Sequence, residues 1–427
     1  MKKQLLPILL LTQLAGAIDN AHFYRATNLF QEPRFERSYL TSFDVAVAAG
    51  STRKGRNFNG DTVPLLDTYG THNMIELGIG VPHKNKTTPE DFTLIELSRT
   101  PGRDVPDPCS CYPKYQFGHF SIYGDFSIIE ANIFYTQNIT HGFFTQFHIP
   151  IRQLKIDDIC FKDLSPCNDV CPNKNTPIWQ TFLCLFDKIL KKYCLSKEPF
   201  SETGVGDASF LAGWTHNHQD TEFLDFVDLT IKFGLLSPTG KTRNEDKIFS
   251  LPLGYNGHWG VPISFDIAFG MYDWLTFGGH VDAIFFAHTS RNMRLKTAPF
   301  QSGIIKLAKG KVDVERGSLW NAGAYIKADH LARGLSLLFA YSFANQNSIS
   351  IQTCDPCFDN TIINCDEMLQ GWKMHNLHFW GEYDFTKENS QYGTRLAVFY
   401  NLQVKGKRVF KTNTAGGSIG LDINWNF

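Results

Sequence analysis

The chain has 427 residues, a formal net charge of -1 and 43% hydrophobic residues. That balance gives no reason to expect a nucleic-acid partner. No run of about 18 apolar residues is present, so no helix is expected to cross a membrane, and the chain is either soluble or a barrel. The unusual feature is 36 Phe, 15 Tyr, 8 Trp and 34 Gly: aromatic residues suit strands and membrane interfaces, and glycine suits turns and bulges.

In chain order, Lys2 and Lys3 precede the apolar stretch Leu5 to Leu11 and the small-residue site Leu14-Ala15-Gly16-Ala17. This is the order of a secretory signal peptide, so residues 1 to 17 are excluded from the fold. Residues 18 to 37 are expected to form a periplasmic N-terminal extension or plug, and residues 38 to 427 the folded body.

A transmembrane strand needs about 9 to 11 residues, with one face toward lipid and the other toward a lumen. Val227, Leu229, Ile231, Phe233 and Leu235 alternate in this way with Asp228, Thr230, Lys232 and Gly234. Leu396, Val398, Tyr400, Leu402 and Val404 repeat the pattern against Arg395, Asn401, Gln403 and Lys405, and Ile419, Leu421, Ile423, Trp425 and Phe427 against Ser418, Asp422, Asn424 and Asn426. Extending the reading predicts twelve strands, near 38–51, 119–137, 143–156, 206–216, 224–236, 260–270, 274–288, 317–328, 334–345, 372–384, 393–405 and 414–427. The second changes phase at Ile128-Ile129, which suggests a bulge. Short connections alternate with long ones, as expected of an antiparallel up-and-down β-barrel of even strand number in the bacterial outer membrane. A soluble β-sandwich would not put long loops on every second connection. Fourteen strands are reached if Met74 to Val81 forms an extra strand; otherwise that stretch is a hairpin folded inside the first loop.

All ten cysteines fall in proposed external loops: Cys109 and Cys111 in the first, Cys160, Cys167, Cys171, Cys184 and Cys194 in the second, Cys354, Cys357 and Cys365 in the fifth. An exported chain meets an oxidising compartment, so disulfides stapling these loops are expected, with no pairing readable. A lone Cys354-x-x-Cys357 is weak as a zinc site, and neither metal nor cofactor is expected. Trp179, Phe182, Leu183, Phe186, Leu190 and Tyr193 follow helical spacing, which reads as a small helix packed over the barrel mouth rather than a receptor-binding helix. The Gly-Lys-Thr at 240–242 lacks the glycine spacing of a phosphate loop, and Gly204-Val205-Gly206 lacks the third glycine of a dinucleotide site.

The terminal Phe427 behind alternating Trp425, Ile423, Leu421 and Ile419 resembles the C-terminal signature of bacterial outer-membrane β-barrels, which implies recognition by the barrel-assembly machinery. Gly204 to Asp207, followed by Gly234 to Gly240, resembles outer-membrane transporters related to long-chain fatty-acid and aromatic-compound uptake channels. That resemblance implies passage of apolar solutes, with residues 18–37 or Asp61 to Tyr69, centred on Pro64-Leu65-Leu66, plugging the lumen.

The inward register holds Asp44, Glu130, Arg152, Asp207, Asp228, Lys232, Asp266, Asp282, Lys327, Glu382, Asp384, Arg395, Lys405 and Asp422, with His148, His280 and His378. Such charges are costly in lipid but can stay hydrated or pair across a lumen. A narrow polar pore passing small solutes, weakly cation-preferring or substrate-selective, follows. The other reading is a surface protein, an adhesin or receptor acting through its loops. An outer-membrane hydrolase would need a serine and a histidine in reach of each other, and His288 with Ser290 is no more than a chance neighbour pair, so the chain is read as a non-enzyme. Outer-membrane lipid is a partner; the oligomeric state is not readable.

Overall fold

The computed structural model describes residues 39–81, 88–100, 117–167, 172–219, 224–272, 274–332, 334–386 and 390–425. The expected signal peptide and N-terminal extension, together with Cys109, Cys111, Cys171 and Phe427, lie outside the described residues.

Twelve antiparallel strands close a barrel. They are β1 (Leu40–Thr52), β2 (His119–Asn138), β3 (Phe143–Asp163), β4 (Ala208–Gln219), β5 (Phe226–Ser237), β6 (Gly260–Met271), β7 (Leu275–Phe286), β8 (Leu319–Ala332), β9 (Leu335–Gln346), β10 (Trp372–Asp384), β11 (Tyr392–Lys407) and β12 (Asn413–Asn424). Each pairs with its sequence neighbour, and β12 pairs with β1 from Leu40↔Asn424 to Ser51↔Asn413. Closure leaves no unpaired edge in the wall, which is the condition for strands in lipid.

The faces divide as the alternation requires. Phe43, Ile129, Phe233, Val281, Phe379 and Val398 are exposed on the outer surface, while their inward neighbours Asp44, Glu130, Lys232, His280, His378 and Arg395's neighbour Ala397 are buried. Tyr39, Tyr272, Trp274, Tyr392 and Trp425 stand exposed at the short-turn end, and Trp259, Phe285 and Trp320 toward the long-loop end. Twelve-residue strands such as β7, tilted about 40°, rise roughly 30 Å, which matches the hydrocarbon thickness between two aromatic girdles. Short turns lie at one end, and two of them use glycines in the left-handed region, Gly142 at φ +81° and Gly334 at φ +105°, where a Cβ is disfavoured. No described helix is long and apolar enough to cross a membrane.

The long connections fold together as a cap. Thr88 caps α1 (Pro89–Ser98) by accepting from the Asp91 N–H at 3.4 Å, and Pro89 occupies the first turn, where no N–H partner is needed. In α2 (Pro177–Lys192) the buried residues Trp179, Phe182, Phe186, Ile189 and Leu190 form one face, as the spacing predicts. They pack with Leu65, Leu77, Leu94, Phe249, Leu253 and Ile305 into a core shared by several loops. Lys192 and Tyr193, at 2.6 and 3.0 Å from Asp91, tie α2 to α1.

Three expectations are corrected. Met74 to Val81 is not a strand: Ile75–Gly78 is a short 3-10 helix whose residues are all buried in the cap core, so its alternation reflects no lipid-facing side. The shift in β2 lies between Tyr123 and Asp125 rather than at Ile128-Ile129. The even-numbered side chains of β2 face inward throughout; they are apolar at Phe126 and Ile128, where they meet the cap core, and polar at Glu130 and Asn132, where they meet the lumen. The apparent change of phase is a change of what fills the barrel. Finally, the seven described cysteines, Cys160, Cys167, Cys184, Cys194, Cys354, Cys357 and Cys365, are exposed free thiols, and Cys160 lies on β3 rather than in a loop. Loop cohesion comes from the apolar core and from side chains such as Arg294, which donates to the carbonyls of Glu245, Leu307, Tyr193 and Cys194.

Candidate functional site: a polar lumen beneath an apolar cap

Near the short-turn end, Arg395 of β11 reaches Asp44 of β1 at 2.9 Å, Asp422 of β12 at 3.0 Å and Glu382 of β10 at 3.8 Å. Ser42 donates to Asp422 at 2.7 Å. One guanidinium thus serves three carboxylates on four adjoining strands. Higher on the wall, Arg152 pairs with Glu130, and Asn132 bridges Glu130 to His148, whose Nε2 is 3.0 Å away. Across the barrel, Asp282 accepts from Ser264 at 2.6 Å and from Asn321 at 2.8 Å, and Asn321 also touches His280 at 2.8 Å. Buried charges and amides satisfied in this way fill space that an open pore would leave to water.

A fourth group orders Ser342 Oγ, His378 and Asn401, with 2.7 Å on either side of the imidazole, and Asn401 donates to Thr414 at 3.0 Å. The order is that of a nucleophile, its base and an orienting amide. Ser342 is 0% and His378 1% exposed, however, so the set stitches β9 to β12 through the lumen and leaves no approach for a reacting carbon. Ser290 donates instead to Asp313 of the facing strand.

The candidate lumen residues take these places. Asp44, Glu130, Arg152, Lys232, Arg395 and Asp422 are buried on the inner face, and Asp282 and Glu382 are half-buried there. Asp228 accepts from Asn217 near the short-turn end, and Lys327 pairs with Asp329 two residues along at 2.8 Å. Lys405 does not face the lumen: the register between β10 and β11 slips between His375 and Asn376, skipping Val404, and turns Lys405 out to an exposed position. Asn321 and Ser342 escape the sequence reading because neutral polar residues on a strand's wet face carry no distinguishing signal.

Cap and lumen are joined by the connection 238–259. Arg152 donates to the Leu253 carbonyl at 2.8 Å, while the buried carboxylate of Asp207 accepts from the backbone N–H of Gly240 at 2.8 Å and of Tyr255. The Leu66 side chain approaches the inward site of Gly124, and Leu65 and Leu66 are buried in the cap core. Other residues of the same connection, Arg243, Glu245, Pro252 and Asn256, line a pocket together with Lys296, Ile304, Lys306, Ile351 and Met368.

No family model and no curated protein matches the chain. Among solved structures it is similar to an outer membrane channel from Pseudomonas putida F1, at TM-score 0.48 and 12% identity over 92% of this chain and 98% of that one. It is also similar to the Pseudomonas putida toluene transporter TodX, at 0.32 and 10% over 96% of each, and to a Pseudomonas aeruginosa FadL homologue, at 0.29 and 9% over 90% and 89%. Likenesses of this order define no substrate.

Proposed function

We propose that the chain is a bacterial outer-membrane channel that takes small apolar or amphipathic compounds from outside into a narrow polar lumen. The carrying observation is that one connection, 238–259, both lines the cap pocket and is held by two lumen residues. Arg243 and Asn256 face the pocket, and the Leu253 carbonyl and Tyr255 N–H are bound by Arg152 and Asp207. A solute that displaces this connection uncovers the lumen beneath it, and the ion pairs below can exchange partners with water at little net cost. The closed wall and its two aromatic girdles support a place in the outer membrane.

The test is solute flux into liposomes carrying the refolded barrel, with planar-bilayer conductance recorded in parallel. Flux above that of protein-free liposomes is expected, rising in an Asp207→Asn variant that weakens the hold on Tyr255 and Gly240. A heat-modifiable, folded barrel with background flux in both forms would overturn the reading in favour of a surface protein acting through its cap.

A further inference from the structure

The cap pocket carries an imbalance of charge that transport of neutral hydrocarbon does not require. Five of its lining residues are cationic, Arg243, Arg291, Arg294, Lys296 and Lys306, against two acids, Glu245 and Asp366. Some of these are spoken for. Arg294 is saturated by four carbonyls and by Asp246 at 3.0 Å, and Glu245 accepts from the Arg294 backbone N–H at 3.1 Å. Asp366 binds Lys306 and accepts from the Met368 N–H at 3.1 Å.

What remains is positive. Lys296, 7% exposed, donates to a neutral carbonyl, that of Cys365, at 3.3 Å. The Nε of Arg243 is buried and meets no acceptor. Lys306 is 2% exposed and its ammonium is pushed below the usual lysine range by burial, partly offset by Asp366, with Arg243 and Lys296 repelling it further. Arg243 and Lys296 therefore both lie within electrostatic reach of Lys306, whose own partner is Asp366, and the five cations of the lining outnumber its two carboxylates. Buried charge of one sign is stable only when an opposite charge joins it. The rest of the wall is aliphatic: Ile304, Ile349, Ile351, Ile363, Met368 and Leu369.

We propose that this pocket binds a small organic anion, a carboxylate on a compact apolar body, with Arg243, Lys296 and Lys306 around the carboxylate and the isoleucine and methionine wall around the body. The inference rests on the cap pocket as the receiving site of the channel and names its ligand chemistry. A bare inorganic anion would leave the aliphatic wall wet, and a neutral hydrocarbon would leave the three cations unanswered.

Calorimetric titration of the detergent-solubilised barrel with benzoate, hexanoate, toluene, acetate and inorganic phosphate tests it apart from transport. Benzoate and hexanoate should bind saturably, and toluene, acetate and phosphate at least about tenfold more weakly, as expected from loss of a charged hydrogen bond or of apolar burial. Arg243→Gln and Lys296→Gln should each weaken benzoate about tenfold without altering heat-modifiability, while Lys241→Gln, an exposed cation paired with Glu202, should not. Toluene binding as tightly as benzoate, phosphate binding more tightly than either carboxylate, or no carboxylate binding to a folded barrel overturns the proposal. Liposome flux without carboxylate preference would sink the ligand assignment and leave the channel standing. Charge-dependent benzoate binding with background flux would do the reverse.

Discussion

The guanidinium of Arg395 lies 2.9 Å from the carboxylate of Asp44 across the intervening strand β12, joining residues 351 positions apart in sequence. β12 and β1 form the seam where the last strand meets the first, and Trp425 reinforces it by donating to Thr41 at 2.8 Å. Because Asp422 and Glu382 share the same guanidinium, Arg395→Ala strands three inward carboxylates. Breaking a buried pair from one side costs about 3–5 kcal/mol. The variant should lose heat-modifiability at a lower temperature than the parent, and any current it passes should prefer cations more strongly, read as a shift in reversal potential under a salt gradient. An unchanged unfolding temperature would show that the cluster does not secure the seam.

The cap and the barrel should fail separately. Trp179 is fully buried, stacked on Phe182 at 5.2 Å between ring centroids and hydrogen-bonded through its indole N–H to Asp163 at 2.9 Å. Trp179→Ala removes a large side chain from the cap core, a loss of about 3–5 kcal/mol. Faster proteolysis within the external connections is expected while the barrel keeps its heat-modifiable migration. Collapse of both together would mean that the cap is part of one cooperative unit with the wall.

The wall was legible in the sequence because lipid asks the same thing of every strand: Phe233 and Val398, 62% and 70% exposed, show the outward face at a glance. Legibility ended where side chains are apolar on both faces. Ile75 and Leu77 alternate like a strand, yet cap residues surround them, and an enclosed short run carries no period that separates helix from sheet. Ile128 beside Ile129 is read as a change of phase until the cap core inside β2 is known. Charged lumen residues were found by parity alone, and Lys405 was misplaced because one bulge reverses parity for the residues beyond it. The pocket cluster joins Arg243, Lys296, Lys306 and Asp366 from three loops, and no spacing in the chain announces such a meeting.

The free thiols among the described residues give the cohesion of the loops a direct chemical test. The seven described cysteines should react with a membrane-impermeant maleimide on the folded, unreduced protein. Cys357 should react slowly at neutral pH, since the Asp355 carboxylate raises its thiol above the usual range and less thiolate is present to attack. Asp355→Asn should therefore speed Cys357 labelling and leave Cys184 unaffected. Labelling that appears only after reduction would show that the loops are stapled after all.

Two buried groups at the cap's inner edge make its stability respond to pH in opposite senses. Burial holds the Asp67 carboxyl at about 6, although Ser121 and the Ile122 N–H bond to it, against an ordinary 3.8. The folded cap therefore binds that proton more tightly than the unfolded chain, and the stability it contributes, complete below about pH 4, is lost as pH rises through 6. His72, whose Nδ1 is 3.6 Å from Asp67, is fully buried and held at about 3 by desolvation, against 6.5. Its contribution is complete above 6.5 and is lost as pH falls toward 3. Asp67→Asn should then protect the cap from proteolysis at pH 7 and change little at pH 4, while His72→Gln should protect it at pH 4 and change little at pH 7. Hydrogen exchange of residues 65–81 between pH 4 and 8 reads both. Parallel curves for the two variants and the parent would show that folding changes the proton affinity of neither group.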